Sequence, residues 1–271
     1  MVSSGCIIFL FEKLEIIKPM KNTNQDAMLP LQFAETLPKY LAFDLEISKA
    51  IPDGVPDFRR FRPLGVSCAA TLASDGELIL WHGKDGQGSI TSQTPVEQLN
   101  TLVSYMMDRR REGYKIVTWN GLGFDFDILH EETGGNPDCK YLALNQCDMM
   151  FHLFCEKGYP LSLDKATRGM ELAGKTPGMD GSQVPLLWQQ GQFDKVLEYL
   201  SQDVKTTLEL AAVCESKHHL EWFSNTGKLQ RLALPKGWLN VEAALSLPEP
   251  DTSWMSNPWP REKFTGWLAK S

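Results

Sequence analysis

The segment Tyr40-Leu-Ala-Phe-Asp-Leu-Glu-Ile47 constrains the fold more than any other stretch of the chain. Apolar residues fill nearly every position, which is the pattern of a strand buried on both faces. Asp44 and Glu46 lie two apart within it, so both carboxylates leave the same face. Two carboxylates in such a run cost several kcal/mol unless a cation or hydrogen-bond donors compensate. A solvated edge strand conflicts with the flanking Leu41, Ala42, Phe43, Leu45 and Ile47.

The surrounding pattern supplies the layers that such a strand needs. A loop rich in Pro, Gly and Arg runs from Pro52 to Pro63. Val66–Ala73 and Glu77–His82 read as strands joined at Ser74-Asp75-Gly76, where Asp-Gly suits a hairpin turn. Pro95 to Arg111 predicts a helix: Thr94 suits its cap, and Val96, Leu99, Val103 and Met106 recur at helical spacing. Lys115–Trp119 predicts a short buried strand, and Phe124–Glu132 a helix that stops at Gly134-Gly135. Helical pattern resumes at Asp148–Glu156 and at Leu163–Leu172. A long helix from about Asp194 to Lys217 follows, with Val196, Leu200, Val204 and Leu208 along one side. Strands, a helix, a strand and then mostly helices describe an α/β layer fold with a mixed sheet.

Composition narrows the class. The chain has 271 residues, 42% apolar and 23% charged, the balance of a globular protein and not of a fibre or a disordered tail. Its formal net charge of −7 leaves no global positive field, so a nucleic-acid partner needs a local basic patch or bound cations. The six cysteines form no CxxC pair, and reduced thiols in the cytoplasm fit best. The apolar run Cys6–Phe11 is too short to span a bilayer. Residues 1–37 read as an N-terminal extension, with Met20 and Met28 as alternative starts and no membrane role. Residues 38–221 read as one domain. From Trp222 the chain holds five of the eight tryptophans, and 222–271 is expected to be an irregular segment with its aromatics packed on that domain.

Two further constellations join the first. Asn120-Gly121-Leu122-Gly123-Phe124-Asp125 follows a buried strand, and its glycines suit a sharp turn into a helix that opens near Asp125. Asp127 lies about 200° around that helix, so it cannot face the same site as Asp125. Tyr199 and Asp203 are four apart on the long helix and therefore neighbours on one face. Each has an ordinary reading by itself: an acid favoured at a helix N-terminus, or a plain helix surface. The combination carries the weight.

That combination resembles the three exonuclease motifs of the DEDD superfamily in its tyrosine-bearing branch, most closely the proofreading domain of family-B DNA polymerases. Phe43-Asp44-Leu45-Glu46 matches the first motif, Trp119–Asp125 the second and Tyr199-Leu-Ser-Gln-Asp203 the third, with the register of the second selecting Asp125 over Asp127. Ile47 stands where those polymerases usually place a threonine, and what remains of the chain leaves no room for a polymerase palm or fingers. The resemblance implies a ribonuclease H-like mixed sheet of about five strands flanked by helices, working as a stand-alone 3′–5′ exonuclease on single-stranded DNA ends. An RNA exonuclease and a non-catalytic nucleic-acid-binding module of the same fold are the alternatives. The resemblance also implies two Mg²⁺ or Mn²⁺ ions: Asp44 bridging both, Glu46 and Asp125 helping to hold them, and Asp203 on the ion that activates water. Tyr199 would orient that water without serving as its base, since an unperturbed phenol with a pKa of about 10 stays protonated at neutral pH. Replication or repair proteins are the partners such an activity suggests.

Substrate contacts are expected from Asn120, Phe124 and Leu163 near the motifs, and from Arg59, Arg60 and Arg62 in the loop after the first. Phe61 interleaves those arginines as a possible stacking surface. Gly169–Thr176 satisfies the P-loop spacing, but a helical pattern precedes it and Pro177-Gly178 denies the helix that must follow. Cys147, His152 and Cys155 read as buried thiols and a core histidine, not as a zinc site.

Overall fold

Tyr40–Ile47 forms β1, the central strand of a five-stranded mixed sheet of order β3-β2-β1-β4-β5 in this computed structural model, which describes residues 38–52, 54–55, 57–174 and 181–269. The expectations for 1–37, and Lys175 and Thr176 of the P-loop-like stretch, lie outside the described residues. Strand β2 (Val66–Ala73) pairs antiparallel with β1, and β3 (Leu78–His82) antiparallel with β2, as a meander. On the other side, β4 (Lys115–Thr118) and β5 (Cys147–Asp148) run parallel to β1.

The period of two along β1 divides the molecule. Leu41, Phe43, Leu45 and Ile47 enter a core shared with α1 (Val96–Arg111), α2 (Asp125–Glu132), α3 (Pro137–Asn145) and part of α4 (Met149–Lys157). Tyr40 and Ala42 enter a second core, built with α5 (Leu163–Gly169), α6 (Val184–Gln189) and α7 (Phe193–Lys217). A fully buried Leu, Ile or Phe contributes about 1.5–3 kcal/mol, so the apolar face of β1 offsets the cost of acids on the other. At the end of β1 the register slips between Glu46 and Ile47, a β-bulge of the kind that re-aims side chains beside sites.

Several elements differ from the sequence expectation. Thr94 does not cap α1: Pro95 holds the cap position, and the Thr94 hydroxyl donates to the Ser67 carbonyl at 2.9 Å. Ser67 is the residue left over by the bulge, so its carbonyl needs that donor. Helix α5 ends at Gly169 instead of Leu172. Helix α3 was readable from Asn136, whose side chain accepts from Asp138 N, and from Pro137 in its first turn. The segment after α7 is not irregular at its start. Strands β6 (His219–Phe223) and β7 (Leu229–Ala233) form a separate antiparallel hairpin, and a boundary at 221 falls inside it.

Beyond the hairpin come two short helices, α8 (Val241–Leu245) and α9 (Glu262–Thr265). Three of the late indoles are buried: Trp222, Trp238 and Trp267. Trp238 Nε1 donates to Ala211 O and Trp267 Nε1 to Leu122 O, so the end of the chain is fastened to α7 and to the turn before α2. Trp254 and Trp259 stay exposed, contrary to the expectation that the aromatics leave water together. Among the described residues no helix is long and apolar enough to cross a membrane.

Candidate active site

Asp44 and Glu46 continue the β1 face that carries Tyr40 and Ala42, the face covered by α7. Tyr199 and Asp203 lie one turn apart on that helix, both buried. Two cavities of about 530 and 390 Å³ meet here, and Asp44, Tyr199 and Asp203 line both. Trp119, Asn120 and Leu163 line the larger one; Glu46 and Phe124 line the smaller. Strand β1, helix α7 and the turn after β4 are thus brought together at the carboxyl end of the parallel strands, where ligands bind in open α/β sheets.

Asp125 enters from behind. β4 pairs only with Tyr40, Leu41 and Ala42, so the far half of the β1 edge is left without a neighbouring strand. The Asp125 Oδ1 fills that opening by accepting from Leu45 N at 3.0 Å, and its carboxyl shares a hydrogen bond with Asp44. Burial pushes the Asp125 carboxyl well above the usual carboxylate range, and the charge of Asp148 adds to it, while the bonds from Leu45 N and with Asp44 oppose. Asp125 therefore reaches the cavities through Asp44.

The turn that delivers it is specified atom by atom. Asn120 takes the left-handed conformation at φ 73°, so the reversal falls on the asparagine and not on the glycines. The glycines answer a different need, which is space. A Cβ on Gly121 would meet the Thr118 side chain and lie 2.8 Å from Gln146 Oε1; one on Gly123 would lie 2.7 Å from Asn120 Oδ1 and 2.8 Å from the Phe264 ring. Asp148, which carried no functional expectation, holds this turn. Its Oδ1 accepts from Asn120 N at 3.0 Å and its Oδ2 from Leu122 N at 2.9 Å, while Phe151 N also donates to Oδ1. Burial pushes the Asp148 carboxyl up to about 6 against the pull of those donors. The signal was an acid at the start of a helical pattern, which by itself says only helix cap.

The expected substrate contacts divide. Asn120, Phe124 and Leu163 line the cavities. Arg59 and Arg62 are instead engaged within the protein: Arg59 Nε lies 3.0 Å and Arg62 Nη2 2.6 Å from Asp127 Oδ2, and Arg62 Nη1 2.6 Å from Glu131 Oε2. Arg60 is exposed beside them. Phe58, not Phe61, meets Phe124, with ring centroids 5.2 Å apart. Cys147 and Cys155 are buried with free thiols, and His152 Nδ1 accepts from Leu239 N.

The donor set at the cavity junction is carboxylate oxygen with one phenol, and neither thiol nor imidazole is among the expected ligands. That chemistry fits hard Mg²⁺ or Mn²⁺ and not zinc or copper. Among the described residues no group of three or more His, Cys, Asp and Glu is gathered tightly enough to hold a metal ion. Holding one here requires the four acids to draw together from this arrangement, starting with the bonded pair Asp44 and Asp125.

One family comparison agrees with this architecture. Residues 80–214 match the family model of the RNase_H superfamily, a span that runs from β3 to α7 and takes in Asp125, Tyr199 and Asp203. The five-stranded mixed sheet flanked by helices is the RNase H-like α/β fold expected from the sequence. Among solved structures, the family B DNA polymerase from the hyperthermophilic archaeon Pyrobaculum calidifontis is similar over 66% of this chain, at 20% identity and a TM-score of 0.45. The chain spans 24% of that polymerase's length. No curated protein sequence matches it.

Proposed function

We propose that this RNase H-like chain is a divalent-metal-dependent 3′–5′ exonuclease that hydrolyses phosphodiester bonds at single-stranded DNA ends in the cytoplasm. One observation carries the reading: Asp44, Tyr199 and Asp203, from a strand and a distant helix, line both of two adjoining cavities, Glu46 lines the smaller one, and Asp125 is bonded to Asp44. Acids with no common role in packing have no reason to meet there.

Asp44, Glu46, Asp125 and Asp203 would hold the two ions. Such ions stabilise the attacking and leaving oxygens of an in-line displacement at phosphorus. The residues of the chain do the rest. Tyr199 lines the same space as Asp203, and its hydroxyl would orient the water for attack by a hydrogen bond. Leu163 and Trp119 make one side of the larger cavity apolar, which suits the base and sugar of the terminal nucleotide. Asn120, held by Asp148, fixes the turn that sets Asp125 against β1.

The test is purified protein with 5′-labelled single-stranded DNA and RNA in Mg²⁺, Mn²⁺ or EDTA. A ladder that shortens from the 3′ end in either metal and stops in EDTA supports the reading. Preference for RNA would move the substrate class and keep the chemistry. Binding without cleavage in every metal would make the chain a binding module of the same fold.

A further inference from the structure

Trp259 departs from the other indoles near it. Trp238 and Trp267 are buried with their ring N–H groups bonded, whereas Trp259 is 41% exposed although it sits five residues before the buried Phe264. Its ring is not loose. Phe264, packed on Phe151 and Phe154, supports it at 6.1 Å between centroids. Arg261 donates to the carbonyls of Leu245, Leu247 and Pro248, which fixes the backbone that carries both rings. The exposed indole also lines the larger cavity together with Asp44, Tyr199 and Asp203. The Lys263 ammonium lies 3.0 Å from the centroid of that indole. Among the described residues Lys263 makes no salt bridge, and Arg59 Nη2 donates to its backbone carbonyl at 3.4 Å. A fixed indole with a cation on its ring and no carboxylate in a salt bridge with that cation, lining an acidic cavity, matches a nucleobase with its phosphate.

We propose that Trp259 and Lys263 form a stacking platform for a base of the single-stranded substrate, so that the C-terminal segment makes one wall of the substrate path. The inference rests on the nuclease reading above and deepens it. A base inside a duplex already has stacking partners on both faces, so the platform selects unpaired ends. Trp254 supplies the contrast. It is more exposed still, at 67%, but it packs edge-on to Tyr159, bonds to the Asp251 carbonyl and lines neither cavity.

The experiment measures anisotropy of a short 5′-fluorescein-labelled oligothymidylate in Ca²⁺, and KM for its cleavage in Mn²⁺, on the full chain. Trp259→Ala is expected to raise Kd and KM about 5- to 100-fold, the loss of one stacked base, with the change falling on KM more than on kcat. Trp259→Phe should recover most of it, and Trp254→Ala should match the wild type. Lys263→Ala should flatten the dependence of log Kd on log salt by about 0.7. If Trp259→Ala binds as the wild type does while cleavage persists, the platform is wrong and the nuclease reading stands. If the wild type neither binds nor cleaves in any metal, both fall together.

Discussion

Two carboxylates on the first turn of α2 are equally buried and oppositely partnered. Asp125 and Asp127 each expose 2% of their surface. Asp127 is answered from within the chain by Arg59 and Arg62, arginines of the loop that follows β1. Asp125 is met by a backbone N–H of β1 and by another carboxyl, with no cation among its described partners. Burial alone therefore does not tell an acid answered by a cation from one that is not. The partner does: one charge is already neutralised, and the other calls for a proton or an ion from outside.

The largest effect expected of this contrast is on turnover. Asp125→Asn should lower cleavage of single-stranded DNA by more than about 1000-fold, while its melting temperature stays level or rises, because a costly buried carboxyl becomes a neutral amide. Retained activity in Asp125→Asn, with loss in Asp127→Asn at equal folding, would exchange the two roles. Activity in both would dismiss the metal site.

Tyr199→Phe sharpens the same division from the α7 side. In the proposed mechanism it removes one hydrogen bond to the water and no ligand, so kcat should drop about 10- to 1000-fold without a change in metal requirement. A Phe variant as dead as Asp125→Asn would make the tyrosine more than an orienting group.

Asp127→Asn is the stability counterpart. It leaves two partly buried arginines facing an amide, and a loss of about 2 kcal/mol is expected once partial solvation is allowed for, read as a lower denaturant midpoint with turnover per folded molecule kept within a few-fold. An unchanged midpoint would mean that the arginines gain nothing from the acid.

The smallest effect comes from His152, which lies far from both acids in sequence. Burial holds its imidazole down to about 4, and in the neutral form Nδ1 accepts from Leu239 N. The unfolded chain binds the proton near pH 6.5, so stability is complete above that value and is lost as the pH falls towards 4. At pH 5.5 the loss is about 1 kcal/mol relative to pH 8, and His152→Gln should remove that part of the pH slope. An identical slope in the variant would assign it elsewhere.

What was legible in the sequence follows from range of interaction. β1, β2, α1, α2 and α7 declare themselves by period, because each buries a continuous stripe against a neighbour. The hairpin β6–β7 was hidden by composition: tryptophans and prolines drew attention away from the alternation of Leu220 and Trp222 with Glu221. Strand β5, only Cys147 and Asp148, is too short to show a period. At the site, motif spacing singled out Asp44, Glu46, Asp125, Tyr199 and Asp203. It could not reveal that Arg59 and Arg62 are held by Asp127, since that pairing spans 68 residues between Arg59 and its partner. Asp148 escaped for the same reason: a helix cap and a brace for a distant turn look alike until the turn is in place.

The unequal lengths of β1 and β4 decide whether Asp125 can reach the edge of β1. β1 is 8 residues long and β4 only 4. Were β4 to run on by about two residues, the parallel ladder would continue along β1 and its own carbonyls would take the Leu45 N–H that Asp125 now receives. The aperture would close like a zip, with every acidic side chain still in the sequence. Strand length is thus a shutter, and an insertion between Thr118 and Asn120 would shut it without touching any of the proposed ligands.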